Sequence, residues 1–150
     1  MSEEFIINSG LMSILLLDRI TAIGPYEIRG DATFDGKAVF SLLEALAQLG
    51  AFHIRRCHDF SKHAFLIKVG RCLLPDPIPE AGSLNLKGEL NGRSDRSFIY
   101  RIWAEREGQT VISGEFSFST VDYEGKFEAV RLKDHYERVF ACLTNASGTD

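Results

Sequence analysis

What this sequence has little of already removes several kinds of protein. Cysteine occurs three times, proline four times and tryptophan once in 150 residues. Cys57, Cys72 and Cys142 are odd in number and widely spaced. That pattern argues against a disulfide framework and predicts free thiols in a reducing compartment. Long apolar runs are missing too. The longest, around "ILLLDRI", is broken by Asp18, whereas a membrane-spanning helix needs about 18 apolar residues or more. The opening "MSEEF" is acidic and lacks the apolar stretch of a secretory signal. Basic charge is not in excess: 17 Lys and Arg stand against 21 Asp and Glu, a net charge of −4. This argues against a general nucleic-acid binder. The predicted setting is cytoplasmic, with no membrane span and no nucleic-acid partner.

What is present suits one globular domain over residues 1–150. Hydrophobic residues make up 45% and charged residues 25%, enough for a sizeable core without disulfides or metal. "SILLLDRITAIG", Ser13 to Gly24, predicts a strand ending at a Gly24-Pro25 turn. "YEIRGDATF" predicts its hairpin partner. "SLLEALAQLGAFHIRR", Ser41 to Arg56, is rich in Leu and Ala and free of proline, which favours helix. It is apolar over most of its circumference, so it should be buried on nearly all sides. Four strands follow, in "HAFLIKVGRCLL", "SLNLKGEL", "SFIYRIWAERE" and "TVISGEFSFSTV". The last three alternate as half-buried antiparallel strands do. "RLKDHYERVFACL" predicts an amphipathic helix, with Leu132, Tyr136, Val139, Phe140 and Leu143 on one side. Lys133 and Glu137 should pair on the other. The tail "TNASGTD" should be loose. The order predicts an α+β fold, a long antiparallel sheet around one buried helix.

One acid interrupts the apolar helix. A buried carboxylate is costly unless it is paired or used, so Glu44 needs a reason. Two are open. "SLLE" fits a capping box, with Ser41 as N-cap and Glu44 at the third helical position. Alternatively Glu44 lines a site, with burial raising its pKa so that it can carry protons. Gln48, one turn later, would orient it. His53, Cys57, His58 and His63 cluster in sequence but lack the C-x-x-C spacing of a structural zinc site, so no metal or other cofactor is expected. Near a helix end, cationic histidines with Arg55 and Arg56 would suit the dipole. Trp103 and the late phenylalanines predict core or a dimer interface.

These segments resemble the β-hydroxyacyl-acyl-carrier-protein dehydratases (the FabZ/FabA group), which have the hotdog fold. "LLLDRI", Leu15 to Ile20, is similar to that family's "LLVDRV". "LEALAQLGA", Leu43 to Ala51, is similar to its helix motif, "LEAxAQxxG". "CLLP" followed by "IPEAGSLNL", and "GQTVISGEFSF", Gly108 to Phe118, match its later strands in order and spacing. The resemblance covers roughly residues 11–121, with an added helical extension at about 128–144. It implies a hotdog protein, at least a homodimer, handling acyl-ACP or acyl-CoA thioesters. It places Glu44 at the family's catalytic glutamate and Phe34, Gly36, Phe40 and Ser41 beside the substrate. Asp18 and Arg19 match a "DR" pair with a structural role.

The family's catalytic histidine is absent. Its position holds Thr33 in "TFDGKAVF", and about three following residues are missing. A hydroxyl has no useful basicity near neutral pH, and a lost general base costs about 10²–10⁴-fold. Three functions follow: a 3-hydroxyacyl-thioester dehydratase-like lyase, a thioesterase built on Glu44 and the amides near Ser41 to Leu43, or a non-catalytic acyl-binding or partner protein. Arg55, Arg56 and Lys62 predict a basic patch for docking an acidic acyl carrier protein.

Overall fold

A computed structural model describes residues 15–148. Strand β1 (Leu17–Ile23) and strand β2 (Glu27–Phe34) form a hairpin. Helix α1 (Val39–Cys57) follows. Then come β3 (Lys62–Leu73), β4 (Gly82–Arg93), β5 (Ser97–Arg106) and β6 (Gln109–Asp122), and the chain closes with α2 (Lys126–Gly148). The six strands make one sheet in the order β1-β2-β4-β5-β6-β3, every neighbour antiparallel. Strands β1 and β3 are its edges. The prolines at 75, 77 and 79 fall between β3 and β4, as a residue with no amide hydrogen to give the ladder requires.

Alternation decides which face meets α1. Ile28, Ala32, Phe34, Leu84, Leu86, Phe98, Tyr100, Ile102, Ala104, Phe116 and Phe118 are all buried on the concave face. The intervening residues face outward. Helix α1 lies in the concavity and buries Leu42, Leu46, Leu49 and Ile54 against them. Gly50 lets the helix come this close, since a Cβ there would sit 2.8 Å from Ile102 Cδ1 and 2.9 Å from the Phe118 ring. The cost of mid-helix glycine, about 1 kcal/mol against alanine, is offset by that approach.

Helix α2 packs its predicted face inward. Leu132, Tyr136 and Leu143 are buried, and Val139 and Phe140 pack against the core. Phe52 of α1 meets Tyr136 edge-on at 6.4 Å and Phe140 at 6.4 Å. The helix is longer than expected at both ends. It begins at Lys126 and runs through the segment predicted to be loose, with the Thr144 hydroxyl donating to the Phe140 carbonyl at 2.9 Å. Lys133 does not pair with Glu137; it reaches Asp59 at 3.7 Å. Trp103 is not core, because the odd positions of β5 face outward. Its Nε1–H donates to Glu105 at 2.8 Å, and Arg101 stacks 4.3 Å above the ring. Asp18 and Arg19 tie the hairpin together. Arg19 Nε donates to Asp31 at 2.9 Å, and Asp18 accepts from Thr33.

Candidate active site

Helix α1 begins two residues before Ser41, so the capping box is not formed. The N-cap is Ala38, which has no side-chain acceptor to offer, and the first turn holds no acid. Ser41 instead turns its hydroxyl back to the Ala38 carbonyl at 2.8 Å. Glu44 therefore lies in the second turn, too far along to reach the N-cap amide. The opening amides of α1 keep their positive end of the helix dipole without a side-chain cap. This end follows a tight turn at Gly36, whose φ of +82° and close approach to Ala81 both favour glycine.

Glu44 is half-buried between buried Leu42 and Ala45–Ala47. It makes no hydrogen bond or ion pair among the described residues. Desolvation raises its pKa above the ordinary glutamate value. Phe40, in the first turn, is 66% exposed. Phe34 is in the core at 2%. Gln48 accepts a hydrogen bond from the Leu16 amide at 2.8 Å, which ties α1 to the start of the β1 edge. Thr33 lies on the outward face of β2, where its hydroxyl donates to Asp18 Oδ2 at 2.6 Å. The helix and Glu44 lie on the other face, so Thr33 and Glu44 are not brought together.

One group that sequence reasoning missed is Arg106, at the inner end of β5. Its Nη2 is buried without a hydrogen-bond partner, next to Gly82. An arginine beside a polar turn gives no sequence signal for burial.

The histidines gather elsewhere. His53 is fully buried near the C-terminal end of α1. Its Nε2 lies 2.8 Å from the Gly24 carbonyl, which can only accept, so Nε2 carries the proton. Nδ1 then accepts from the Tyr100 hydroxyl at 2.6 Å. Burial lowers the His53 pKa and raises that of Tyr100, so the pair is neutral. The expected cationic histidine at the helix end is thus replaced by a neutral staple linking α1, β5 and the β1–β2 turn. His58 contacts the Ile54 carbonyl at 2.9 Å. His63 packs edge-on to Tyr123 at 4.4 Å and is held down to about 4, mainly by burial and then by Arg55. Its 4.0 Å contact with Glu128 is accordingly no ion pair near neutral pH.

The expected carrier-docking patch is broken up. Arg55 is buried beneath α2 and stacks on Tyr136. Lys62 is engaged with Asp122. Arg56 alone of the three is exposed and outside an ion pair among the described residues. The sequence placed the three side by side, but α2 covers one and β6 neutralises another. A cavity of about 210 Å³ lined by Arg71, Asn91, Arg101 and Glu115 opens on the outward face, away from α1.

No protein-family model matches this sequence, and no curated protein matches it. Solved structures do match. A thioesterase from Haemophilus influenzae superposes with a TM-score of 0.59 at 12% identity, over 69% of this chain and 77% of its own. A mutant thioesterase from Pseudomonas aeruginosa gives 0.60 at 14%, over 70% and 81%. The dehydratase heterocomplex ApeI:P from Xenorhabdus doucetiae gives 0.59 at 12%, over 87% and 98%. The fold is a hotdog fold. Within it, α1 is the central helix and the hotdog sheet wraps it from β1 to β3, while α2 is laid across the hairpin and the C-terminal end of α1. At these identities the likeness establishes the fold and leaves the chemistry to the residues.

Proposed function

We propose that this protein hydrolyses acyl thioesters at the head of α1, with Glu44 as general base. The observation that carries this reading is Glu44 itself: a half-buried carboxylate with no partner among the described residues and a raised pKa, one turn into a helix whose N-terminus is uncapped. Hydrolysis needs one group to take a proton from water and donors to hold the oxygen on which charge develops. Glu44 supplies the first. The N-terminal end of α1, which has no side-chain cap, supplies the second through its amides and dipole. The matched structures from Haemophilus influenzae and Pseudomonas aeruginosa are thioesterases.

Dehydration is the second reading. It needs a proton acceptor at the α-carbon and a donor at the leaving hydroxyl. Helix α1 offers only Glu44 there, because His53 and His58 lie toward its other end and Thr33 points away. What favours this reading is the dehydratase heterocomplex, which matches across 87% of the chain, more than the thioesterases do.

One panel separates the two. Acyl-CoA and acyl-carrier thioesters of graded chain length are assayed for free thiol and, with crotonyl thioester, for loss of enoyl absorbance. Hydrolysis predicts thiol release that falls about 10²–10⁴-fold in Glu44→Gln. Equal rates in wild type and Glu44→Gln would sink the proposal.

The free edge of β3 supports a homodimer. Its outer side presents Phe65 at 39% exposure and Ile67 at 65%, beside backbone groups that no other described strand pairs, the kind of edge that soluble proteins pair or cover. Light scattering on wild type and Ile67→Lys tests this. A dimer that dissociates in the variant is expected, and a monomeric wild type would refute it.

A further inference from the structure

The region beneath α2 holds a charge that the proposed chemistry does not use. Arg55 is 7% exposed and Tyr136 is 5% exposed. The Arg55 guanidinium lies 4.1 Å from the Tyr136 ring centre and 5.6 Å from that of Phe52. Arg55 Nε and the Tyr136 hydroxyl are both buried without a hydrogen-bond partner, and Arg55 makes no ion pair among the described residues. A buried guanidinium is costly unless an anion meets it. Stacking on two aromatic rings offsets only part of that cost.

Two of the neighbouring acids are already engaged: Asp59 meets Lys133 at 3.7 Å and Asp134 pairs with Arg138. Glu128 lies 4.0 Å from the neutral His63 and Glu124 acts on the same ring, and neither bonds to Arg55 among the described residues. His63 and His135 have their pKa values lowered, first by burial and then by nearby arginines that include Arg55, and an imidazole, neutral or protonated, supplies no negative charge. Arg131 and Arg138 of α2 act on the same His135 as Arg55 does. Three guanidinium groups therefore act on His135, against the one carboxylate of Asp134. Two buried donors without acceptors, one of them charged, call for an acceptor that carries negative charge.

We propose that Arg55 and Tyr136 form a binding site for a small oxyanion, phosphate or carboxylate, clamped between the C-terminal end of α1 and α2. Eleven residues of helix separate Arg55 from Glu44, roughly 16 Å at 1.5 Å per residue, so the site is distinct from the acyl-thioester site and does not depend on that assignment. Bound there, the oxyanion would neutralise Arg55, accept from both orphan donors and fasten α2 to the core.

Thermal unfolding of the full chain tests this. Sodium phosphate, sodium acetate and sodium chloride are titrated at matched ionic strength. Phosphate or acetate should raise the midpoint by about 5 °C at a hundredfold excess over Kd, and the arm that does so identifies the oxyanion class. Chloride should not. Arg55→Met should abolish the rise while remaining at least as stable as wild type without oxyanion, because a buried unpaired charge has been removed. Tyr136→Phe, which keeps the ring, should bind about tenfold more weakly and serves if Arg55→Met does not fold. Equal midpoints in all three salts would overturn the proposal. So would a rise that survives unchanged in Arg55→Met or Tyr136→Phe.

Discussion

The two ends of α1 are built on opposite principles. At the C-terminal end, side chains are heavily tied. His53 bridges Tyr100 and Gly24, His58 meets its own helix carbonyl, and Phe52 is boxed by two rings of α2. At the N-terminal end, almost nothing is tied. The N-cap has no side-chain acceptor, Phe40 projects into solvent and Glu44 has no partner among the described residues. One end fixes the helix in the sheet. The other is left with unused donors and an unused carboxylate, and groups left unsatisfied in this way are the ones available to a substrate. Packing stability is concentrated away from the proposed site, as a rigid support for loosely held chemistry requires.

That contrast can be broken first at its strong end. His53→Ala removes a fully buried ring and strands the Tyr100 hydroxyl and the Gly24 carbonyl. It should cost about 2–4 kcal/mol, read as a lower urea midpoint. A loss below about 1 kcal/mol would mean the staple is not what holds this end. A smaller effect comes from pH. His53, His63 and His135 have folded-state pKa values below the ordinary 6.5, His63 reaching about 4. Below 6.5 the unfolded chain therefore binds more protons than the folded one, so stability should fall as pH drops from 6.5 toward 4. Glu44, with a raised pKa, opposes this over the carboxylate range. Denaturation midpoints flat between pH 7 and pH 5 would contradict the burial of these rings. The smallest effect belongs to the open end. Ser41→Ala removes a hydroxyl that bonds only within its own turn and is expected to shift stability by about 0.5 kcal/mol or less. A cost near 1–2 kcal/mol would restore Ser41 to the cap role that the structure denies it.

Much of the architecture was legible because it is written in periodicity. Leu84 and Leu86, or Phe116 and Phe118, recur every second residue, and Leu42, Leu46 and Leu49 recur with the helical turn, so element types and order followed directly. Glu44 was legible as an acid in an apolar helix. Its surroundings were not. The capping box failed because the helix starts at Val39, and nothing local to "SLLE" announces that. Gln48 is one turn from Glu44 in sequence, yet its oxygen is engaged by Leu16, a partner 32 residues away. Thr33 aligned with a catalytic position but lies on the wrong face, because alternation along β2 sends Phe34 into the core and Thr33 out. Arg55 looked like a surface cation beside Arg56 until α2, which comes some 80 residues later, closed over it.

By itself, then, the sequence determined which segments are strand or helix, which faces are apolar, and that one acid sits in the central helix. These are short-range properties, set by side-chain spacing against a period of 2.0 or 3.6 residues. Only the tertiary structure decided which polar groups find partners. His53 finds two, while Glu44, Arg55, Tyr136 and Arg106 keep unmet hydrogen-bonding capacity among the described residues. The physical reason is that hydrogen bonds and ion pairs act over a few ångströms between residues far apart in the chain, and only the packed sheet and helices bring those residues within reach.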